Sequence, residues 1–219
     1  MGKKTIDVEK SYRAKNSEEA RALRKRFAAA GVFVINIMSS PGAGKTSMLE
    51  LTAKALKGET DILVIEGDLE TDKDAARIKA AGFEAVQINT EGGCRLSAKM
   101  VMQAVEGINL AGYRLVIIEN VGNLVCPATM DIGEDKRVVL LSVTEGDDKV
   151  AKYPVMFLET DMVVINKTDL LEHVDFDVES VRRDIQKLNP AAEVIELSCR
   201  TGERTETWLD WIRSHIKAK

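Results

Sequence analysis

The chain has 219 residues, 45% of them hydrophobic and 30% charged, and a formal net charge of −4. That is enough apolar material for a sizeable core, while the acidic balance argues against a general nucleic-acid or anionic-membrane surface, which needs a basic excess. No apolar run approaches the ~18 residues of a membrane span, and the first residues lack the apolar centre of a secretion signal, so a cytoplasmic protein with no membrane and no nucleic-acid partner is expected.

A helical pattern over residues 5–30 comes first, and its basic run from Arg21 to Phe27 reads as that helix's solvated face. Short, mostly apolar runs follow at residues 32–38, 62–65, 85–88, 115–118, 138–143, 162–165 and 194–197. They alternate with helical patterns at 45–57, 72–82, 95–109, 149–160, 176–189 and 203–217. Apolar strands separated by helices imply a doubly wound α/β fold, a mostly parallel sheet covered on both faces. The expected organisation is one domain over residues 1–219, with residues 1–30 as an N-terminal helical appendage. On the last helix Trp208 and Trp211, beside Leu209 and Ile212, have the spacing of core packing.

The stretch "VFVINIMSSPGAGKTSMLEL" is strand, turn and helix start, and Gly42, Ala43, Gly44, Lys45 and Thr46, with Ser47 following, match the end of G-x-x-x-x-G-K-[ST]. Backbone N–H groups at such a helix N-terminus surround phosphate oxygens, Lys45 can reach the β- and γ-phosphates, and the Thr46 hydroxyl can bind Mg²⁺. Ser39 stands where the pattern has its first glycine.

Directly after a later strand, Asn166, Lys167, Thr168 and Asp169 form the N-K-x-D pattern of GTPases. The Asp169 carboxylate can accept the guanine N1–H and exocyclic amino group, and adenine offers no such donor pair. A site built on those bonds rejects an analogue lacking them by on the order of 10⁴. The Lys167 stem can cover the base, and Asn166 can tie this loop to the phosphate loop. "SCRTG" follows the last strand, where GTPases carry a base-contacting loop, and supplies Ser198 and Cys199.

Two further strand ends carry carboxylates. "ENVG" places Glu119 before Gly122, whose N–H can sense the γ-phosphate; "EGD" places Asp68, with Asp74 heading the next helical pattern as a ligand or a cap. Glu119 and Asp68, with Thr46, are the expected Mg²⁺ shell, and Lys45, Asp68 and Glu119 the expected catalytic set. No dedicated water-orienting glutamine or arginine finger stands out, so hydrolysis of GTP to GDP should be slow, as in a switch.

The three cysteines, Cys94, Cys126 and Cys199, are odd in number and dispersed, which is not a disulfide framework. Cys94 lies in "TEGGCRLSA" and Cys126 in "ENVGNLVCPATMDIG". Spacing alone leaves the pair as unrelated small hydrophobes. Taken with "GAGKT", "GGC", "VVLLSVTEGDDK" and "VINKTDL", however, "ENVGNLVCPA" resembles the hydrogenase nickel-incorporation GTPases, the HypB family, relatives of the urease accessory GTPases. The resemblance runs from about Val32 onward. It implies a GTP-dependent metallochaperone that dimerises on binding GTP and delivers Ni²⁺ to the large subunit of a nickel-iron hydrogenase, with a HypA-type nickel chaperone as collaborator. It also implies a Ni²⁺ or Zn²⁺ site at the dimer interface from a Cys-His pair and a Cys-Pro cysteine, which fall here on Cys94, Arg95 and Cys126. A guanidinium is no metal ligand, so Arg95 breaks the pattern. Two Cys94/Cys126 pairs across a two-fold axis would still make an S₄ site.

Other readings stay open at this point: a urease- or cobalamin-enzyme-type accessory GTPase, a P-loop small-molecule kinase, and a GTP-gated scaffold with negligible turnover.

Overall fold

The structure is a computed structural model and describes residues 8–67 and 83–219. Among them, seven strands form one parallel sheet: β1 (Phe33–Ser39), β2 (Ile62–Glu66), β3 (Glu84–Gln87), β4 (Leu115–Glu119), β5 (Lys136–Ser142), β6 (Met162–Asn166) and β7 (Glu193–Glu196). Their order across the sheet is β3-β2-β4-β1-β5-β6-β7. The helices are α1 (Val8–Ala29), α2 (Lys45–Ala55), α3 (Ala98–Ala104), α4 (Lys149–Lys152), α5 (Pro154–Leu158), α6 (Val178–Leu188) and α7 (Thr205–Ala218).

The mostly apolar runs become strands because both faces of the sheet are covered. In β1, Phe33, Ile35 and Ile37 join Val64, Ile117, Leu140, Met48 and Trp208 on one face. Val34 joins Leu63, Val116 and Ile118 on the other, under Leu23 and Phe27 of α1 and Val101 of α3. On that same face farther along, Val139 and Val163 pack with Phe157, Val181 and Ile185. Trp208 is fully buried and donates its indole N–H to Thr52 Oγ1 at 2.9 Å, while Trp211 stacks on it, so the pair is core as its spacing implies.

The basic run on α1 is only partly a solvated face. Arg21 and Lys25 are exposed, but Arg24 reaches Asp131 at 2.7 Å and Arg26 the carbonyl of Val105 at 2.7 Å. The helix expected over 149–160 is instead α4 and α5, because Pro154 has no N–H to continue the ladder and drives Tyr153 out of helical geometry (φ −128°, ψ 53°). The helix expected over 95–109 starts later, where Ser97 Oγ accepts the N–H of Met100. The helix expected over 72–82, with Asp68 and Asp74, lies outside the described residues. No helix among those described is long and apolar enough to cross a membrane.

Candidate functional site: a nucleotide cleft beside a thiol pair

Every strand of a parallel sheet ends on the same side, so the loops after β1, β4, β5, β6 and β7 gather at one edge, where doubly wound folds bind ligands. Residues 40–44 lead from β1 into α2. Gly44 caps that helix at φ 105°, a left-handed conformation, and contributes no side chain, so the first N–H groups of α2 face outward for an anion. A Cβ on Gly44 would lie 2.5 Å from Asn166 Nδ2. Lys45 is buried and donates from Nζ to Ser39 Oγ at 3.2 Å, so the serine in the first-glycine position is a seat for this lysine.

The base-side loops close on that turn. Asn166 donates to the carbonyl of Ala43 at 2.9 Å and accepts the N–H of Cys199 at 3.2 Å, tying three loops with one amide. Lys167 is left-handed (φ 64°) and donates from Nζ to the carbonyl of Gly42 at 2.7 Å, which draws its stem across the space for a base. Asp169 accepts the hydroxyl of Ser198 at 2.6 Å, which aims its carboxylate. These groups border a cavity of about 840 Å³ lined by Gly44, Ser47, Leu51, Lys167, Asp169 and Cys199, the size of a nucleotide pocket. Burial, then the charge of Asp169, push the Cys199 thiol up to about 12, so it stays a neutral thiol in the loop.

At the phosphate end the Thr46 hydroxyl faces Glu119 Oε1 at 3.4 Å, and Glu119 is buried. A hydroxyl and a carboxylate converging beside a phosphate loop are hard oxygen donors of the kind Mg²⁺ takes. Gly122 lies on the segment leading from Glu119 to Cys126.

Two residues at this edge carry no motif yet bear on the site. Glu145, in "TEGDD", accepts the Ser142 N–H at 3.0 Å and also the hydroxyl of Ser40, so β5 grips the phosphate loop. The signal for it was S-x-x-E at residues 142–145, a capping box. Asn120, next to Glu119, is fully buried and had no sequence signal at all.

The fold brings the two dispersed thiols together. Cys94 follows a tight turn in which Gly93 donates to the carbonyl of Thr90 at 2.8 Å, and Gly92 takes the left-handed φ of 84°. Cys126 follows a second turn whose N–H groups at Val125 and Cys126 are accepted by Asn123 Oδ1. The Cys94 thiol lies beside the Cys126 thiol, and its proximity, then burial, raises the Cys126 pKa, while the Arg95 charge opposes the rise. Cys94 is exposed and Cys126 partly buried. Among the described residues no three His, Cys, Asp or Glu side chains group closely enough to hold a metal ion.

A phosphate loop, a guanine-type loop and a thiol pair on one sheet edge narrow the field, and sequence comparison decides it. The profile "CobW/HypB/UreG, nucleotide-binding domain" matches residues 33–196. The hydrogenase maturation factor HypB of Azotobacter chroococcum is 49% identical over 98% of this chain and 70% of its own length. The chain belongs to the HypB family of hydrogenase maturation factors. Solved HypB structures agree: that from Archaeoglobus fulgidus superposes with a TM-score of 0.88 at 38% identity, covering 93% of this chain and 99% of its own. HypB from Helicobacter pylori, crystallised in complex with nickel, superposes with a TM-score of 0.88 at 41% identity, covering 93% and 96%. The HypB fold is thus the fold expected from the alternation of apolar runs, and the HypB family is the one its motifs resemble.

Proposed function

We propose that this HypB-family chain is a slow GTPase and nickel metallochaperone that dimerises on binding GTP and passes Ni²⁺ toward the large subunit of a nickel-iron hydrogenase, with a HypA-type protein as donor or co-worker. The observation that carries this is the Cys94–Cys126 contact beside the Glu119 end of the nucleotide cleft, a two-thiol set that a second copy can complete. The Helicobacter pylori relative, crystallised in complex with nickel, supports nickel as the cargo.

In this reading the guanine is held by Asp169, with Lys167 over its face and Ser198, Cys199 and Asn166 shaping the loop. The phosphates lie on residues 42–47, where the N–H groups of the α2 N-terminus and the Lys45 ammonium offset their charge. Thr46 and Glu119, with Asp68 from outside the described residues, would hold Mg²⁺, which neutralises charge on the phosphate oxygens when bound. Gly122 reports the γ-phosphate. Two Cys94/Cys126 pairs across a two-fold axis take Ni²⁺ or Zn²⁺ as cargo, since thiolates suit both.

The test measures Ni²⁺ and Zn²⁺ stoichiometry together with oligomeric state, in GDP and in a non-hydrolysable GTP analogue. The expected result is about one metal per GTP-bound dimer, abolished in a Cys94→Ser, Cys126→Ser double variant. Unchanged stoichiometry in that variant would overturn the thiol site; equal affinity for ATP and GTP would overturn the guanine reading in favour of a kinase.

A further inference from the structure

Asn120 occupies a junction that neither the nucleotide cleft nor the thiol pair accounts for. Its backbone N–H donates to the carbonyl of Ile37 at 3.0 Å, which pins it to β1 one residue beyond Glu119. Its Nδ2 donates to Asn36 Oδ1 at 3.2 Å, in the buried chain that continues to Glu134. Its Oδ1 accepts two backbone donors, Leu96 N–H at 3.1 Å and Val121 N–H at 3.0 Å. Leu96 is just past Cys94, and Val121 begins the segment that ends at Cys126. One buried oxygen therefore holds a donor from each thiol-bearing segment.

A second contact reaches the same place without Asn120. Leu96 is fully buried against Gly67: a Cβ there would lie 2.6 Å from Leu96 Cδ1 and 2.7 Å from Cγ. The Gly67 N–H donates to the carbonyl of Glu119 at 2.8 Å. Leu96 thus sits where the ends of β2 and β4 meet, so a displacement of Glu119 changes its seat and its hydrogen-bond partner together. The far ends of the same segments are anchored elsewhere. Asn16 of α1 accepts the Ala98 N–H at 2.9 Å and donates to the carbonyl of Asp131 at 2.6 Å.

We propose that Asn120 is a positioning residue that couples the nucleotide state at Glu119 to the placement of Cys94 beside Cys126, with Asn16 a strut indifferent to nucleotide. A donor bound at one acceptor with the sensing segment cannot move independently of it, which gives the coupling a physical path rather than mere proximity. The inference rests on the nucleotide reading above, and only its metal arm rests on the thiol site.

The readout is the rate of Cys94 alkylation by iodoacetamide, followed by peptide mass spectrometry on the full chain with Mg²⁺·GDP or a Mg²⁺·GTP analogue. Protein is kept dilute enough to be monomeric by sedimentation, so that dimer burial does not enter. The wild-type rate should differ at least about 5-fold between nucleotides, the lower end of typical coupling. Asn120→Ala should bring the ratio to about 1 and nucleotide should still bind, whereas Asn36→Ala, which breaks the same buried chain but leaves Oδ1 of Asn120 in place, should keep it. Asn16→Ala should change the rate equally in both states. A wild-type ratio of 1, a folded Asn120→Ala that keeps the full ratio, or an Asn36→Ala that loses it overturns the proposal. Where Asn120→Ala does not fold, Gly67→Ala displaces Leu96 and must lower the ratio; an unchanged ratio overturns the proposal equally. Zn²⁺ affinities measured in the same two states separate the two ideas: alkylation coupling without Zn²⁺ binding sinks the metal site and leaves Asn120 standing.

Discussion

The guanine end and the thiol end of this molecule are built on the same sheet edge but to different degrees of completeness. At the guanine end each functional side chain is already held by its neighbours: Asn166 by Ala43 and Cys199, Lys167 by Gly42, Asp169 by Ser198. Such a site pays its ordering entropy on folding, so a ligand finds donors and acceptors already aimed. The thiol end presents two sulfurs on tight turns and, among the described residues, no further ligand cluster. A single chain holds the side chains of the first site in place by itself; on the proposed reading the second needs a further copy to complete it.

Asp169→Asn breaks the finished side of that comparison most severely. On the proposed guanine reading a carboxylate able to accept two donors is replaced by an amide that can accept only one, so discrimination between GTP and ATP should fall by on the order of 10⁴, read by competition against a fluorescent nucleotide. Thiol chemistry at Cys94 should be unchanged in the nucleotide-free protein. Gly44→Ala is next. It forces a side chain into φ 105° and to 2.5 Å of Asn166 Nδ2, so strain of about 1–3 kcal/mol adds to loss of the Asn166–Ala43 bond, and GTP affinity should drop some tens-fold in calorimetry.

Arg95→His sharpens the unfinished side. It restores an imidazole beside Cys94 and removes a cation, so Ni²⁺ affinity should rise at least about 10-fold, or ~1.4 kcal/mol, measured against a chromophoric chelator. A fall would show that the guanidinium serves the site rather than weakening it. The smallest effect belongs to Cys199. Its thiol, raised from an ordinary 9.0 to about 12, should be the slowest of the three to react with iodoacetamide in the folded chain. The folded state keeps a proton that the unfolded state loses first, so Cys199 contributes stability below pH 9 that is lost as pH rises toward 12. Thermal melts across that window should decline less steeply in Cys199→Ala.

The inner strands were legible because a strand covered on both faces has no polar phase to blur it, and each of the seven runs, the part-exposed edges β3 and β7 included, is a strand within a residue or two. That residues 42–47 and 166–169 lie at strand ends on one sheet edge was legible because each pattern sits on consecutive residues after an apolar run. Pro154 was visible and should have divided the helix around it. Asn16 and Asn120 were not readable, since their partners are distant in sequence and a lone buried amide resembles any surface one until the fold closes, whereas Glu145 carried a capping-box signal but not its reach to Ser40. The thiol contact was hidden for the same reason: the loops that follow β3 and β4 meet only once both strands flank β2 in the sheet. Whether the whole chain is one domain, as its length and lack of a linker imply, is a proposal that limited proteolysis would test.

Helix α1 precedes every group its Asn16 engages, at Ala98 and at Asp131. During synthesis it therefore leaves the ribosome with its polar anchor unanswered until both thiol-bearing segments and the start of β5 have followed. Closing that clip is a long-range step, of the kind that contacts between distant segments make slow. The cysteines accordingly cannot acquire this clipped spacing before residue 131 has been made, and a nascent chain halted after α3 carries Cys94 but no partner for it.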